Sequence, residues 1–221
     1  MNIFVLDKKP SNIPKHYCDI HLRKMIVEYT QLLCTSIRLL LGTKTTITSS
    51  NTGKKYTIWL LPNETATFEY IKGKEQLILS SGLYRQTHIN HPCTKWTKKS
   101  FDNYTWLWIL LFYCHKEYEL RFPRIHKSKR LLTPLNNYIW ECEFPNKYLT
   151  PWPQVMPDGF QGYSHYCYSE WDGMEIGPEN NEYEICTCYD KDFAPCVWAY
   201  RRYYASKLKE FRKRGICKFT R

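Results

Sequence analysis

The spacing of apolar residues divides the chain into a helical first part, an alternating middle segment and a helical remainder. From residue 19 onward, apolar side chains recur every three or four positions, as on the buried face of an amphipathic helix. These positions are Leu22, Ile26, Tyr29, Leu33 and Ile37. The helix is expected to begin near Pro14 and to end by Gly42, since glycine commonly stops helices. We predict that the chain folds around this helix.

A second set of residues follows the same spacing on another face of the helix. It consists of His21, Lys24, Glu28, Gln31 and Thr35. Two interpretations of this shared ridge are open. It forms a catalytic site, or it is a solvated polar face with an ordinary Lys24–Glu28 pair, worth roughly 0.3–0.5 kcal/mol.

From Thr43 the pattern changes to the alternation that is typical of β-strands rich in Thr, Tyr and Ile. Strands are expected at residues 43–50, 55–61, 65–71 and 76–79, with turns between them. We therefore predict an inserted antiparallel β-meander over residues 43–80. The sequence does not indicate what the insertion does.

The remaining segments complete the predicted fold. Helical spacing returns over residues 101–122 and 197–213, whereas residues 162–196 form an acidic, cysteine-containing and loop-rich insertion. The short apolar run 3–6 is expected to be a strand or a buried arm. With 221 residues, one domain over 1–221 is expected. The predicted fold is mainly α, a compact helical domain around two long helices with the small inserted meander.

Charge and aromatic content favour a polyanionic partner. The chain has 32 Lys and Arg against 21 Asp and Glu, a formal net charge of +11. Tyr and Trp, the residues on which bases stack, number 18 and 8. DNA is the expected partner, although a basic balance also serves solubility and a Tyr-rich core also accounts for the aromatics.

Three basic and aromatic segments are the candidate DNA contacts. Their residues are Arg85, His91, Lys95, Trp96 and Lys98 in the first, Arg121 and Lys127 in the second, and Arg201, Arg202, Tyr203, Lys207 and Arg212 in the third. Contact with phosphates is the expected role. Solvated loops and an exposed last helix would account for the same residues.

No metal or cofactor is predicted, although two groups of residues invite the question. His88 and His91 have a spacing that could bind a metal, but Pro92 favours a turn shaped by polar histidines. Cys167, Cys186, Cys188 and Cys196 lack the paired spacing usual for zinc sites. The ten cysteines are expected to be reduced thiols, with Cys18, Cys34 and Cys114 as small core residues.

Two blocks of residues resemble the pyrimidine-dimer DNA glycosylase superfamily. The first contains Asp19, Leu22, Lys24, Glu28, Gln31 and Leu33, and the second contains His91, Pro92, Lys95, Trp96, Glu117 and Arg121. Both are similar to bacterial members. Residues 1–7, 88–129 and 200–204 are more similar to uncharacterised phage and giant-virus members.

This resemblance implies a chemistry. In the phage-type enzyme, the endonuclease V type, an Asp is followed nine residues later by the catalytic Glu, as Asp19 is by Glu28 here. The resemblance implies that an N-terminal amine attacks the sugar C1′ and forms a Schiff base, after which β-elimination breaks the strand. It makes Glu28 the catalytic carboxylate, with His21 and Lys24 beside it. As a class, α-amines are less basic than lysine side chains, which favours a neutral nucleophile.

One difference from the phage-type enzyme leaves the identity of the nucleophile open. Asn2 is bulky, so Met1 is expected to stay in place, and the nucleophile is the Met1 amine or Lys24. If neither is suitably placed, a monofunctional glycosylase or a transferase acting on modified bases remains. A nucleotide or modified-base glycosidase that does not act on DNA is a separate possibility. A non-catalytic nucleic-acid-binding or host-interaction protein on the same scaffold is the alternative of a different class.

The expected location is intracellular. The sequence has no apolar run long enough for a membrane span and no secretory signal at its start, so no membrane association is expected. For a viral member of the superfamily, the location is the host cytoplasm or its nucleus-equivalent.

Overall fold

The computed structural model describes residues 1–161 and 194–220 and is mainly helical, with two small antiparallel sheets. The α-helices of these residues are α1 (Asp19–Leu41), α2 (Pro92–Thr97), α3 (Phe101–Arg121), α4 (Leu132–Tyr138) and α5 (Ala194–Lys213). The strands are β1 (Thr43–Thr48), β2 (Lys55–Leu60), β3 (Ala66–Ile71) and β4 (Lys74–Leu79). The predictions of a mainly helical chain and of a small β insertion are confirmed. No helix in these ranges has the length and apolar character to cross a membrane.

The chain forms two compact units. Unit 1 contains Met1–Glu28, Ile109–Lys127 and Thr150–Arg221, and unit 2 contains Tyr29–Trp108 and Ser128–Leu149. Residues of α1 and of α3 belong to both. The expectation of one domain stays a prediction.

Helix α1 has the predicted buried face but begins later than expected. Leu22, Ile26 and Leu33 are fully buried, like the other apolar positions of the stripe. Pro10 and Pro14 open two short 3-10 turns, Pro10–Asn12 and Pro14–His16, and the α-helix starts only at Asp19. Its end at Gly42 is confirmed. A Cβ there would approach the carbonyl oxygen of Arg38 to 2.5 Å, so the position requires glycine.

The β insertion consists of two hairpins instead of one meander. β1 pairs with β2 and β3 pairs with β4, and each pair forms its own antiparallel sheet. At the tip of the second hairpin, Lys72 and Gly73 both have positive φ, 53° and 74°. Two such residues are what a tight hairpin turn requires.

A buried ion pair connects this insertion to α1 within unit 2. The Arg38 guanidinium donates to both carboxylate oxygens of Glu64, over 2.6 and 2.8 Å. Both side chains are fully buried. Burial raises the pKa of Glu64, but the hydrogen bonds from Arg38, Ser81 and the Leu61 N–H outweigh it and lower that pKa overall. The sequence interpretation did not find this pair.

The termini of the other long helices agree closely with the predictions. α3 begins after Ser100, whose hydroxyl accepts a hydrogen bond from the Asn103 N–H as an N-cap does. α5 begins at Ala194, so the last three residues of the predicted acidic insertion belong to this helix. The rest of that insertion lies outside the described residues. Residues 3–6 form a buried arm and no strand.

Candidate functional site

Glu28 and the N-terminus lie together in unit 1. The Met1 amine is 3.9 Å from Glu28 Oε2, and the Asn2 N–H donates a hydrogen bond of 3.1 Å to the same oxygen. On the other side, Lys24 Nζ is 3.6 Å from Glu28 Oε1. The Glu28 side chain keeps 13% of its surface exposed. One partly accessible carboxylate is thus flanked by two amines.

The side chain of Asn2 holds the N-terminus in this position. Its Nδ2 donates to the Val155 carbonyl over 2.6 Å, and its Oδ1 lies 2.9 Å from the Tyr200 hydroxyl, which donates to it. The same hydroxyl accepts from the Val155 N–H over 3.1 Å. Asn2 therefore has tertiary partners for both ends of its amide, which orders the residue next to the amine.

The arm that follows is also tied down. The Arg201 Nε donates to the Leu6 carbonyl over 2.7 Å, and the Tyr17 hydroxyl donates to the Phe4 carbonyl over 3.0 Å. The Met1 side chain is only 2% exposed. The Lys24 side chain, by contrast, is 66% exposed. Of the two candidate nucleophiles, the Met1 amine has the more ordered surroundings.

His21 does not lie on a solvated ridge, which corrects the sequence interpretation. Its ring is buried and stacks on Tyr204 with centroids 5.0 Å apart, while Phe4 contacts it edge-on at 4.6 Å. Burial, with smaller effects of Lys24 and Lys207, lowers the pKa of His21 to about 3. A neutral, packed imidazole is a poor proton donor near pH 7, so we assign His21 to the core. Thr35, also expected on the ridge, is buried as well.

The side chains of Arg121 and Arg201 are buried and bond to other groups of unit 1. The Arg121 guanidinium bonds to Asp19, Glu117 and three carbonyl oxygens, those of Pro14, Lys15 and Tyr17. Arg201 is likewise buried, and its Nη2 is 3.9 Å from Asp7. Both are among the DNA contacts that the sequence predicts, and their burial corrects that prediction. Their donors stabilise unit 1 instead, because a buried guanidinium needs partners.

Three predicted DNA-binding residues of α5 lie in one cluster with the arm. Tyr203 stacks on Phe4 at 5.7 Å and has Lys207 Nζ 5.6 Å from its ring centroid, whereas Arg202 lies 5.8 Å from the ring of Phe160. Phe160 in turn contacts Tyr203 at 5.3 Å. Phe4 also packs against Tyr200. This places two cations on the aromatic cluster beside Tyr200, which together with Val155 holds the Asn2 side chain in what we call the Asn2 clamp.

The other candidates are distributed over both units. Lys127 and Arg212 are exposed in unit 1, and Arg85 and Lys95 are exposed in unit 2. Lys98 is half-buried. Trp96 is buried against Trp106 and is a core residue, which corrects its prediction as a DNA contact. His91 caps α2, with Nδ1 accepting from the Cys93 N–H, as the turn interpretation implied.

Residues 1–161 and 194–220 contain no group of three or more potential ligands that could hold a metal. Cys167, Cys186 and Cys188 lie outside these ranges. Cys18, Cys34 and Cys114 are buried, as predicted. Cys196 is a buried residue of α5.

Sequence reasoning missed Asn2 and Tyr200 as site residues. The sequence places Tyr200 only within the predicted last helix, residues 197–213, and assigns Asn2 only the role of a barrier to methionine removal. Their hydrogen bond joins residues 198 positions apart, and no local pattern signals such a pair.

Comparisons with known proteins add no further guide, because no family model, curated protein or solved structure matches the chain.

Proposed function

We propose that the chain is a DNA-acting enzyme, a base-excising glycosylase for damaged or modified pyrimidines, with the Met1 amine as nucleophile and Glu28 as catalytic carboxylate. The observation that carries the proposal is the 3.9 Å separation between that amine and Glu28 Oε2. Nucleophile and proton acceptor are close to the range for direct or water-mediated transfer. The proposal includes membership of the pyrimidine-dimer glycosylase superfamily, a helical domain around α1 and α3, and an intracellular location.

The proposed reaction begins with the unprotonated amine. Its nitrogen bonds to C1′ as the bond from C1′ to the base breaks. The base leaves with the bonding electrons and takes up a proton, and Glu28 receives the proton that the amine loses. The carboxylate also stabilises the positive charge that develops on the sugar.

The lyase step follows from the bond between the amine and C1′. Opening of the sugar ring breaks the bond from C1′ to O4′, protonates O4′ and leaves a C=N⁺ Schiff base. Loss of a C2′ proton then expels the 3′ phosphate. Glu28, with its exposed edge, is the group we assign to these proton transfers.

We choose the Met1 amine over Lys24 as the nucleophile because the surroundings of that amine are more ordered. Asn2 is held by Val155 and Tyr200, and the Met1 side chain is buried, so the amine is held near one place. Lys24 would lose side-chain entropy to reach one geometry. We propose that Lys24 contributes positive charge beside Glu28 and is not the nucleophile.

The proposed DNA contacts in unit 1 are Arg202, Tyr203, Lys207, Lys127 and Arg212. Three of them, Arg202, Tyr203 and Lys207, lie on the aromatic cluster next to the Asn2 clamp, and the net charge of +11 favours a polyanion. Arg121, Arg201, Trp96 and His21 are left out of the proposed contacts and chemistry because they are buried.

Borohydride trapping tests the proposal. The protein is incubated with labelled duplexes that carry modified pyrimidines or an abasic site, and reduction of the Schiff base fixes a covalent complex. Glu28→Gln should lower the rate of trapping by roughly 10²–10⁴-fold while changing the free energy of unfolding by less than about 1 kcal/mol. Mass spectrometry of the trapped peptide identifies the nitrogen, and a short extension before Met1 should abolish trapping whereas Lys24→Ala should not.

Three outcomes count against parts of the proposal. Trapping on the Lys24 peptide would transfer the nucleophile to Lys24. Base release without any trapping would leave a monofunctional glycosylase. Neither base release nor trapping on any of these duplexes, with DNA binding retained, would favour a non-catalytic nucleic-acid-binding protein.

A further inference from the structure

The two hairpins of unit 2 are joined along one face. The rings of Tyr56 on β2 and Phe68 on β3 are in contact, with centroids 5.6 Å apart. The Glu75 carboxylate on β4 accepts a hydrogen bond of 2.7 Å from Asn51 and another from Ser49, both in the first hairpin. These contacts make one continuous surface from two separate sheets, which we call the hairpin face.

Two exposed cations lie over the Tyr56 ring at the centre of this face. Lys54 Nζ lies 5.1 Å and Arg85 Cζ lies 5.4 Å from the centroid of the Tyr56 ring. Contacts of this kind restrict long side chains while leaving their charge accessible. Lys54 and Arg85 are therefore held at the hairpin face and remain exposed to a ligand.

Tyr70 extends the aromatic row. It follows Phe68 by two positions on β3, so both side chains lie on the same face of that strand. Its side chain is 66% exposed and is therefore accessible to a ligand. Beyond it lie the exposed Lys72 in the turn and Lys74 at the start of β4.

A carboxylate on this face is fixed in place by neutral hydrogen-bond donors and keeps its negative charge. Glu75, which pairs with Tyr70 across the hairpin, has its carboxylate hydrogen-bonded to Ser49 and Asn51. Glu69 lies one position from Tyr70 and so faces the opposite side. The hairpin face thus combines cations, which attract phosphates, with an exposed ring, which stacks on bases, and the ring favours a nucleic-acid strand over a partner that is only acidic.

We propose that the hairpin face binds a single strand of nucleic acid, with a base stacking on Tyr70 and phosphates at Lys54 and Arg85. A single strand is favoured because a ring can stack only on a base that is free of its duplex neighbours. Small sheets with aromatics and cations are suited to this kind of binding. The inference goes beyond the reaction proposed for Glu28 and does not depend on it.

Fluorescence anisotropy with labelled oligonucleotides tests this inference. The Glu28→Gln protein is used throughout so that turnover plays no part, and the probes are an oligothymidylate of about 12 nucleotides, within the site sizes of such surfaces, and a duplex of the same length. Tyr70→Ala should weaken single-strand binding by roughly five- to a hundredfold, because stacking of one base has that effect. Tyr70→Phe keeps the ring and should bind as the parent does.

Matched controls separate stacking and local charge from general effects. Tyr148→Ala removes another highly exposed tyrosine of unit 2 and should leave binding unchanged. Arg85→Ala should flatten the salt dependence by about 0.7 for a single strand. Lys44, over Trp59 on the opposite face of the first hairpin, is the control for charge alone, and Lys44→Ala should have the smaller effect.

The inference is overturned if Tyr70→Ala binds the single strand as tightly as Tyr148→Ala does. It is also overturned if Tyr70→Ala weakens duplex binding as much as single-strand binding, or if Tyr70→Phe loses as much affinity as Tyr70→Ala. Circular dichroism and melting temperature confirm that each variant is folded. Since only binding is measured, a failure here is distinguishable from a failure of the glycosylase proposal.

Discussion

The hydroxyl of Tyr200 on α5 donates a hydrogen bond of 2.9 Å to Asn2 Oδ1 and also lies 2.6 Å from the Pro153 carbonyl oxygen. A residue of the last helix thereby orders the residue that follows the N-terminal amine. If the amine is the nucleophile, Tyr200 is a positioning residue, because its side chain is fully buried.

Tyr200→Phe should therefore reduce catalysis more than it reduces binding. Loss of alignment at a reacting group costs on the order of 10²-fold in rate, so the rate of borohydride trapping should fall while DNA affinity stays the same. Tyr104→Phe is the matched control, since this buried tyrosine of unit 2 donates to the Leu135 carbonyl over 3.1 Å. Equal trapping rates in the two variants would remove Tyr200 from the proposed mechanism.

Lys207 provides a test of the DNA contacts in unit 1. Each phosphate contact on duplex DNA contributes roughly −0.9 to the slope of log K against log salt. Lys207→Ala should flatten the measured slope by about that amount, whereas Lys116→Ala, an exposed lysine over Phe112 on α3, should have less effect. Affinity that does not depend on salt would contradict a DNA partner.

The buried pair of Arg38 and Glu64 predicts a large loss of stability. Glu64→Gln leaves a fully buried guanidinium without its countercharge, which typically costs about 3–5 kcal/mol. Glu69→Gln, exposed on β3, should change the free energy of unfolding far less. Urea denaturation of both variants measures the difference, and equal midpoints would show that the pair contributes little.

Stability should fall in mild acid because of two buried histidines. Burial lowers the pKa of His21 and of His16 from the ordinary 6.5 to about 3. Between those values the unfolded chain binds protons that the folded chain does not, so stability decreases as the pH falls. Each histidine contributes up to about 1.4 kcal/mol per pH unit.

His21→Phe keeps an aromatic ring in the stack and removes one of the two titrations. The variant should lose less unfolding free energy than the parent between pH 6.5 and pH 4. A comparison at pH 8, where neither state of His21 takes up a proton, measures the effect of packing alone. An unchanged pH dependence would mean that His21 is not buried as a neutral ring.

The sequence pattern predicted those features of the fold that depend on residues close together in the chain. The buried stripe of α1, its end at Gly42 and the four strands follow from side-chain periodicity and from the chemistry of glycine and turns. The start of α1 was placed too early, since each of two prolines opened a separate 3-10 turn. For Glu28 and Met1, the resemblance led to two residues that the structure places together.

Long-range packing explains what sequence reasoning could not predict. The helical spacing placed His21 beside Lys24 and Glu28, but aromatic rings from the arm and from α5 cover it. A count of basic residues likewise cannot distinguish Arg121, whose donors are used inside unit 1, from an exposed phosphate ligand. The partner of a buried charge is visible only in three dimensions.

The clamp on Asn2 has a consequence for the order of folding. Its hydrogen bond to Tyr200 joins residues that are 198 positions apart in the sequence. The Thr220 N–H donates a hydrogen bond to Asp19, which is 201 positions away. The hairpins of unit 2 pair residues that are close in sequence, and contacts between distant residues form more slowly than local ones. During synthesis the surroundings of Glu28 therefore stay incomplete until α5 has left the ribosome, and in pulsed hydrogen exchange the amides of β1–β4 should gain protection before that of Asn2.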